Sequence, residues 1–152
     1  MRFAAFNVNG LRAAERRGFR AWLDAAQPDV AALQEVRCPA SQIPAAATAG
    51  YEWAYDPGTV PGRNGVALLS KTPPLAVRGL SEAGEFAAEG RYIEADYDIA
   101  GRPVTLASLY LPKGAVPLSP ADKDKHDRKM RFCEILAAHL ARAVQAAAAS
   151  GR

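Results

Sequence analysis

Apolar side chains at Phe19, Trp22, Leu23 and Ala26 recur at i, i+3, i+4 and i+7, the spacing of a helix with one buried face. Pro28 stops that helix. The spacing differs on either side of it. Arg2 to Val8 is short and mostly apolar, and it runs into the polar turn Asn7-Val8-Asn9-Gly10. Val30 to Leu33 is apolar without the alternation of a strand wet on one side, so it predicts a strand covered on both faces. The first 35 residues therefore predict strand, helix, strand, with the two strands parallel. Parallel strands end on one edge of a sheet, so Asn7 and Glu35 are expected side by side, at the kind of edge where α/β sheets bind ligands.

Further along, residues 38–50 are Ala-rich with Pro39 and Pro44 and predict a loop and a short helix. Strands are expected at Tyr51 to Tyr55, Val66 to Ser70 and, more briefly, Leu75 to Gly79, with the loop Asp56 to Gly65 and a turn at Lys71 to Pro74 between them. Residues 80–90 read as a polar surface connection. Arg91 to Ile99 alternates, with Tyr92, Glu94, Asp96 and Asp98 on the side expected to be wet, and Gly101-Arg102 marks a hairpin turn into the strand Pro103 to Leu111. The stretch Asp122 to Asp127, with His126, reads as solvated loop. Phe132, Ile135, Leu136, His139, Leu140, Ala143 and Val144 then share one stripe of a long helix, from about residue 126 to 148, with His139 as a packing histidine. Gly151 stands where a helix C-terminal glycine belongs. No repeat or linker divides the chain. The order predicts one α/β domain with a mixed sheet and helices on one face. The sheet's other face, apolar along Val30 to Leu33 and Val66 to Leu69, is expected to be left open by this chain and covered by a missing half or a second copy.

Composition narrows the class. The chain has 152 residues, 49% hydrophobic and 23% charged, which is ordinary for a folded domain. Cys38 and Cys133 lie far apart without CxxC spacing, which argues against a disulfide scaffold or zinc site and suits a reducing, cytoplasmic setting. The N-terminus turns polar too soon for a signal peptide, and no apolar run approaches a membrane span. Residues 1–110 hold 11 Lys/Arg against 12 Asp/Glu, net −1, whereas residues 111–152 hold 8 against 4, net +4. That asymmetry fits either a polyanionic partner or a solvated helix face.

Glu35 closes the strand Ala31-Ala32-Leu33-Gln34-Glu35. A carboxylate at the mouth of a buried strand either faces solvent or meets a cation. A hard divalent ion suits it, because Mg2+ takes one or two protein carboxylates and completes its shell with water and substrate phosphate.

Five segments together resemble the exonuclease III and apurinic/apyrimidinic (AP) endonuclease family, within the endonuclease/exonuclease/phosphatase superfamily. They are Phe6-Asn7-Val8-Asn9-Gly10-Leu11-Arg12, Leu33-Gln34-Glu35, Gly65-Val66-Ala67-Leu68-Leu69-Ser70-Lys71, Gly90-Arg91-Tyr92-Ile93 and Tyr110-Leu111-Pro112-Lys113-Gly114, in the family's order and spacing. The resemblance implies half of a four-layer α/β/β/α sandwich and hydrolysis of DNA phosphodiesters with Mg2+ (or Mn2+), on the 5′ side of abasic sites and at 3′ ends of double-stranded DNA. By position it makes Glu35 the metal ligand with Asn7 in support, and Tyr110 the contact to the scissile phosphate. It places Arg63 and Asn64 on a loop that touches the DNA backbone. Lys113 stands where Asn or Gln is common, and is carried over as a third DNA contact.

The family's chemistry also uses a Gly-Asp-x-Asn strand, a further aspartate and a late Asp-His pair, none of which occurs here. Residues 1–152 are therefore expected to be the N-terminal half of the domain, inactive alone. Two readings remain: part of a DNA-repair nuclease, or a non-catalytic nucleic-acid-binding or interaction module that keeps half of the fold.

Overall fold

A computed structural model describes residues 1–151. The βαβ opening is present. Strand β1 (Phe3–Asn7) pairs in parallel with β2 (Val30–Gln34), Asn7 opposite Gln34. The crossover holds the expected helix α2 (Phe19–Ala26) and also a short helix α1 (Leu11–Arg16), which the turn residues Asn9 and Gly10 had hidden. After α3 (Ala45–Thr48), β3 (Glu52–Asp56) and β4 (Val66–Ser70) complete a four-stranded mixed sheet of order β1-β2-β4-β3. Strands β5 (Ala76–Gly79), β6 (Tyr92–Asp98) and β7 (Pro103–Leu109) form a second, antiparallel sheet of order β5-β6-β7. Helix α4 (Pro120–Ala149) closes the element order.

The alternation within each strand builds the layers. Ala31 and Leu33 of β2 and Ala67 and Leu69 of β4 face Leu11, Phe19 and Leu23 of the helices. Their neighbours Val30, Val66 and Leu68 point the other way, onto Ile93, Ala95 and Tyr97 of β6. On the far side of β6, Tyr92 packs with Phe132 and Leu136 of α4. Four layers, α/β/β/α, are thus already present in this chain. The expectation of an uncovered sheet face is overturned, because the second sheet lies on that face. Runs such as Val66 to Ser70, buried at every position, are explained by this double cover.

The side of β6 expected to be wet is buried at Tyr92, Glu94 and Asp96, and Asp98 at the strand end is exposed as expected. Glu94 is 3% exposed and Asp96 2%. Arg78 of β5 donates from Nε to Glu94 at 2.7 Å and from Nη1 and Nη2 to the two oxygens of Asp96, each at 2.8 Å. Tyr92 donates to Glu94 at 2.7 Å, and His139 of α4 lies 3.0 Å from the same oxygen. Ser81 donates its backbone N–H to His139 Nδ1 at 3.3 Å, so Nε2 carries the proton that faces Glu94. His139 is the satisfied packing histidine expected of that stripe.

Residues 122–127, read as loop, lie inside α4, which starts earlier than its apolar stripe. Ser119 caps it, accepting the Asp122 backbone N–H at 3.2 Å and donating to the Asp122 carboxylate at 2.7 Å, with Pro120 in the first helical turn. Ser119→Ala is expected to cost about 1 kcal/mol, read as a lower urea midpoint with an unchanged slope.

Candidate active site

The site forms where β1, β2 and β7 end. Beyond Gln34 the backbone leaves the β region: Glu35 and Arg37 both sit at φ 56°, with buried Val36 between them. Asn9 (φ 47°) and Asn64 (φ 52°) adopt the same left-handed conformation nearby. Asparagine tolerates it; for glutamate and arginine it is strained by about 1–3 kcal/mol each. The surroundings hold the turn in place. Gly10 donates to the Glu35 carbonyl at 2.7 Å, Val36 to Gly65 at 3.0 Å and Arg37 to Asn64 at 3.0 Å. Strain retained on one rim is the pattern of functional sites.

The reward for that strain is where the Glu35 carboxylate points. Asn7 Nδ2 donates to Glu35 Oε1 at 2.9 Å, and Arg37 Nη2 forms an ion pair with Oε2. The Tyr110 hydroxyl lies close enough to the same carboxylate to lower its pKa. Burial pushes the Glu35 pKa up, but the hydrogen bonds from Asn7 and Tyr110 and the charge of Arg37 outweigh it, and the group titrates below its ordinary value. Tyr110 is pushed up, first by burial and then by its bond to anionic Glu35.

Tyr110 reaches Glu35 because the two sheets are clipped together one step below. Ser108 of β7, fully buried, donates to the Leu33 carbonyl at 2.7 Å and accepts from Gln34 Nε2 at 3.2 Å. From the side, the Arg91 guanidinium lies 5.4 Å from the Tyr110 ring centroid and donates to the Tyr110 carbonyl at 3.3 Å. Arg91 is itself paired with Glu89, which also binds Arg128 of α4.

Of the residues expected at a site, the structure brings Asn7, Glu35 and Tyr110 together. Arg63, Asn64 and Lys113 lie outside that cluster. Asn64 donates one amide N–H to the Glu89 carbonyl at 2.9 Å, which leaves its second N–H and its oxygen to offer a ligand. Gly90 allows the Arg63–Asn64 loop to close here: at φ 61°, a Cβ on it would lie 2.6 Å from the Gly58 nitrogen. Arg63 and Lys113 are exposed. Sequence reasoning missed Arg37 as a site residue, although a cation two positions after the glutamate was a signal. It also gave no role to Arg91 and could not see Ser108.

The donors suit a hard cation. Glu35 could offer carboxylate oxygens, and the Asn7 side-chain oxygen, which accepts the Asn9 backbone N–H at 3.1 Å, keeps one lone pair. Arg37 Nε is buried without a partner, so the guanidinium has donor capacity to spare if its ion pair with Glu35 rearranges.

Comparison with known proteins places this geometry. The endonuclease/exonuclease/phosphatase family matches residues 4–150. Exodeoxyribonuclease III of Haemophilus influenzae is 31% identical over 140 residues, 92% of this chain and 51% of the relative. The DNA repair nuclease APEX1 of Danio rerio is 33% identical over 129 residues, 82% of this chain and 40% of the relative. The structure of an AP endonuclease from Archaeoglobus fulgidus superimposes with a TM-score of 0.74 at 31% identity, covering 92% of this chain and 51% of that one. The chain spans about half the length of these relatives, or less.

Proposed function

Because the chain belongs to the endonuclease/exonuclease/phosphatase family, we propose that it is the N-terminal half of a DNA-repair nuclease domain of the exonuclease III type. The carrying observation is the single carboxylate of Glu35, held at a strained strand end by Asn7, Arg37 and Tyr110. Glu35 and Asn7 would hold Mg2+ (or Mn2+), which when bound neutralises charge on a phosphate oxygen and helps to activate water. Tyr110 then turns its hydroxyl from Glu35 to the scissile phosphate, while Arg91 keeps the ring in place. Arg63, the second amide N–H of Asn64 and Lys113 contact the DNA backbone and supply affinity without reading sequence. The substrate is double-stranded DNA carrying abasic sites or 3′ ends, since an abasic nucleotide leaves the stack at little cost. A cytoplasmic location belongs to the same proposal.

Glu35 is the one carboxylate of this cluster, and among the described residues no group of three or more His, Cys, Asp or Glu stands together to hold a metal. That favours, for the 152-residue chain by itself, binding without cleavage. The test is to mix the purified chain with abasic duplex and Mg2+, and to follow binding by anisotropy and incision on a gel. Salt-dependent binding without useful incision is expected. Arg63→Ala should weaken binding to all sequences alike and reduce the slope of log affinity against log salt by about 1. A chain that binds neither duplex DNA at low salt nor Mn2+ would sink the nuclease reading. Robust incision that disappears in Glu35→Gln would keep the nuclease reading and remove the claim that the chain is inactive alone.

A further inference from the structure

A second cluster of reactive side chains lies where the turn after β5 meets α4, and it shares no residue with the Glu35 cluster. Ser81 is exposed, and its Oγ lies 2.8 Å from Nδ1 of His139. His139 Nε2 lies 3.0 Å from Glu94 Oε2. His139 is 6% exposed and Glu94 3%, so the three groups form a line from the surface into the layer between β6 and α4. The protons on this line have one direction. The Ser81 backbone N–H can only donate, so Nδ1 presents a lone pair and Nε2–H donates to Glu94. Arg142 of α4 donates from Nη2 to Ser81 Oγ at 3.0 Å. With that side of the oxygen engaged by a cation, the hydroxyl proton turns to Nδ1. Each member is also held by partners of its own. Tyr92 stands edge-on to the His139 ring, centroids 4.9 Å apart, and donates at 2.7 Å to the Glu94 oxygen that His139 faces. Arg78 takes the other Glu94 oxygen at 2.7 Å, which keeps the carboxylate ionised. Glu82, directly after Ser81, sits at φ 54°, a strained conformation beside the exposed hydroxyl.

We propose that Ser81 is an activated nucleophile that takes acyl groups from small carboxylic esters, with His139 as its general base and Glu94 orienting the imidazole. A nucleophile, a base and an orienting acid within hydrogen-bond reach define such a site whatever the fold. Ser81 Oγ attacks the ester carbonyl carbon while Nδ1 takes the hydroxyl proton, and Glu94 stabilises the imidazolium. The bond from the carbonyl carbon to the alcohol oxygen breaks, Nδ1 passes its proton to that oxygen, and the acyl group stays on Oγ. Water then attacks the acyl carbon with the same base. The bond to Oγ breaks, Ser81 recovers its proton and the carboxylic acid leaves. Arg142, which also pairs with Glu82 at 3.3 Å, places positive charge beside the developing oxyanion. A nucleophile open to solvent supplies little binding energy, so the substrates are small esters with good leaving groups. The site does not depend on the nuclease reading.

The experiment treats the purified 152-residue chain with a fluorophosphonate probe and, separately, with p-nitrophenyl acetate. Mass spectrometry of the digested chain should place the phosphonyl adduct on Ser81, formed about 100-fold faster than on the exposed Ser41 and Ser119. The ester should release a burst of p-nitrophenolate stoichiometric with the chain. Ser81→Ala should remove both signals, and His139→Gln should slow both about 100-fold in a chain whose circular dichroism stays native. Nitrogen-15 spectra of the wild-type histidine rings read the tautomer without any substitution, and should show the His139 proton on Nε2. An adduct on Ser81 that forms no faster than on Ser41 and Ser119 would overturn the proposal. So would a His139→Gln rate equal to that of the wild type, or a His139 ring with its proton on Nδ1.

Discussion

Under the proposed function, Glu35→Gln is expected to abolish Mn2+ binding by the chain, and with it any metal-dependent incision. Loss of an outer-shell partner alone costs about 10–100-fold in metal affinity, and losing the anionic ligand itself should exceed that. Calorimetric titration of Mn2+ into both proteins reads it directly. Stability should change little, because Glu35 sits at the rim, 9% exposed, with a half-exposed Arg37 as its ion partner. The pH dependence has a definite sign. The Glu35 pKa lies below its unfolded value, since Asn7, Tyr110 and Arg37 together outweigh burial. Its contribution is therefore complete above the ordinary carboxylate range and is lost as pH falls through the depressed folded value. Mn2+ affinity should be flat near neutrality and drop only in acid. If the glutamine variant binds Mn2+ as the wild type does, Glu35 is not the ligand.

Arg78→Met is expected to be the costliest change away from the site, about 3 kcal/mol at neutral pH, because it withdraws the guanidinium that faces two buried carboxylates. The half-exposed Arg78 side chain keeps the figure at the lower end of the range for broken buried pairs. In the wild type, burial pushes Glu94 up, but hydrogen bonds from Tyr92, His139 and Arg78 together with the Arg78 charge hold its pKa below the ordinary value. The protein should therefore lose stability as pH falls through that depressed value. Without Arg78 the desolvation of Glu94 is less well opposed, and its pKa rises. The variant should then gain stability on acidification from neutrality, opposite in slope to the wild type. Urea melts of both proteins across pH test this. A variant that melts like the wild type at every pH would mean that the pairing carries no net stability.

The sequence by itself determined the local elements, because periodicity is a local property. Phe19, Trp22, Leu23 and Ala26 specify a helical face, and unbroken Val30 to Leu33 specifies a doubly covered strand. Parallel pairing of the first two strands then places Asn7 beside Glu35 with no further information, and five ordered motifs suffice for the family. The tertiary structure decided what covers what. Alternation along β6 reads the same whether its polar side meets water or a buried Arg78 and His139, since both partners come from distant segments. The split into two sheets is equally invisible, because an apolar strand face does not say whether a helix or another sheet lies on it. Tyr110 arrives at Glu35 through inter-sheet packing and the Ser108 bond to Leu33, 75 residues away in the chain. The left-handed turns at Glu35 and Arg37 are likewise chosen by carbonyls and amides of Gly10, Asn64 and Gly65, for neither residue prefers that conformation by itself.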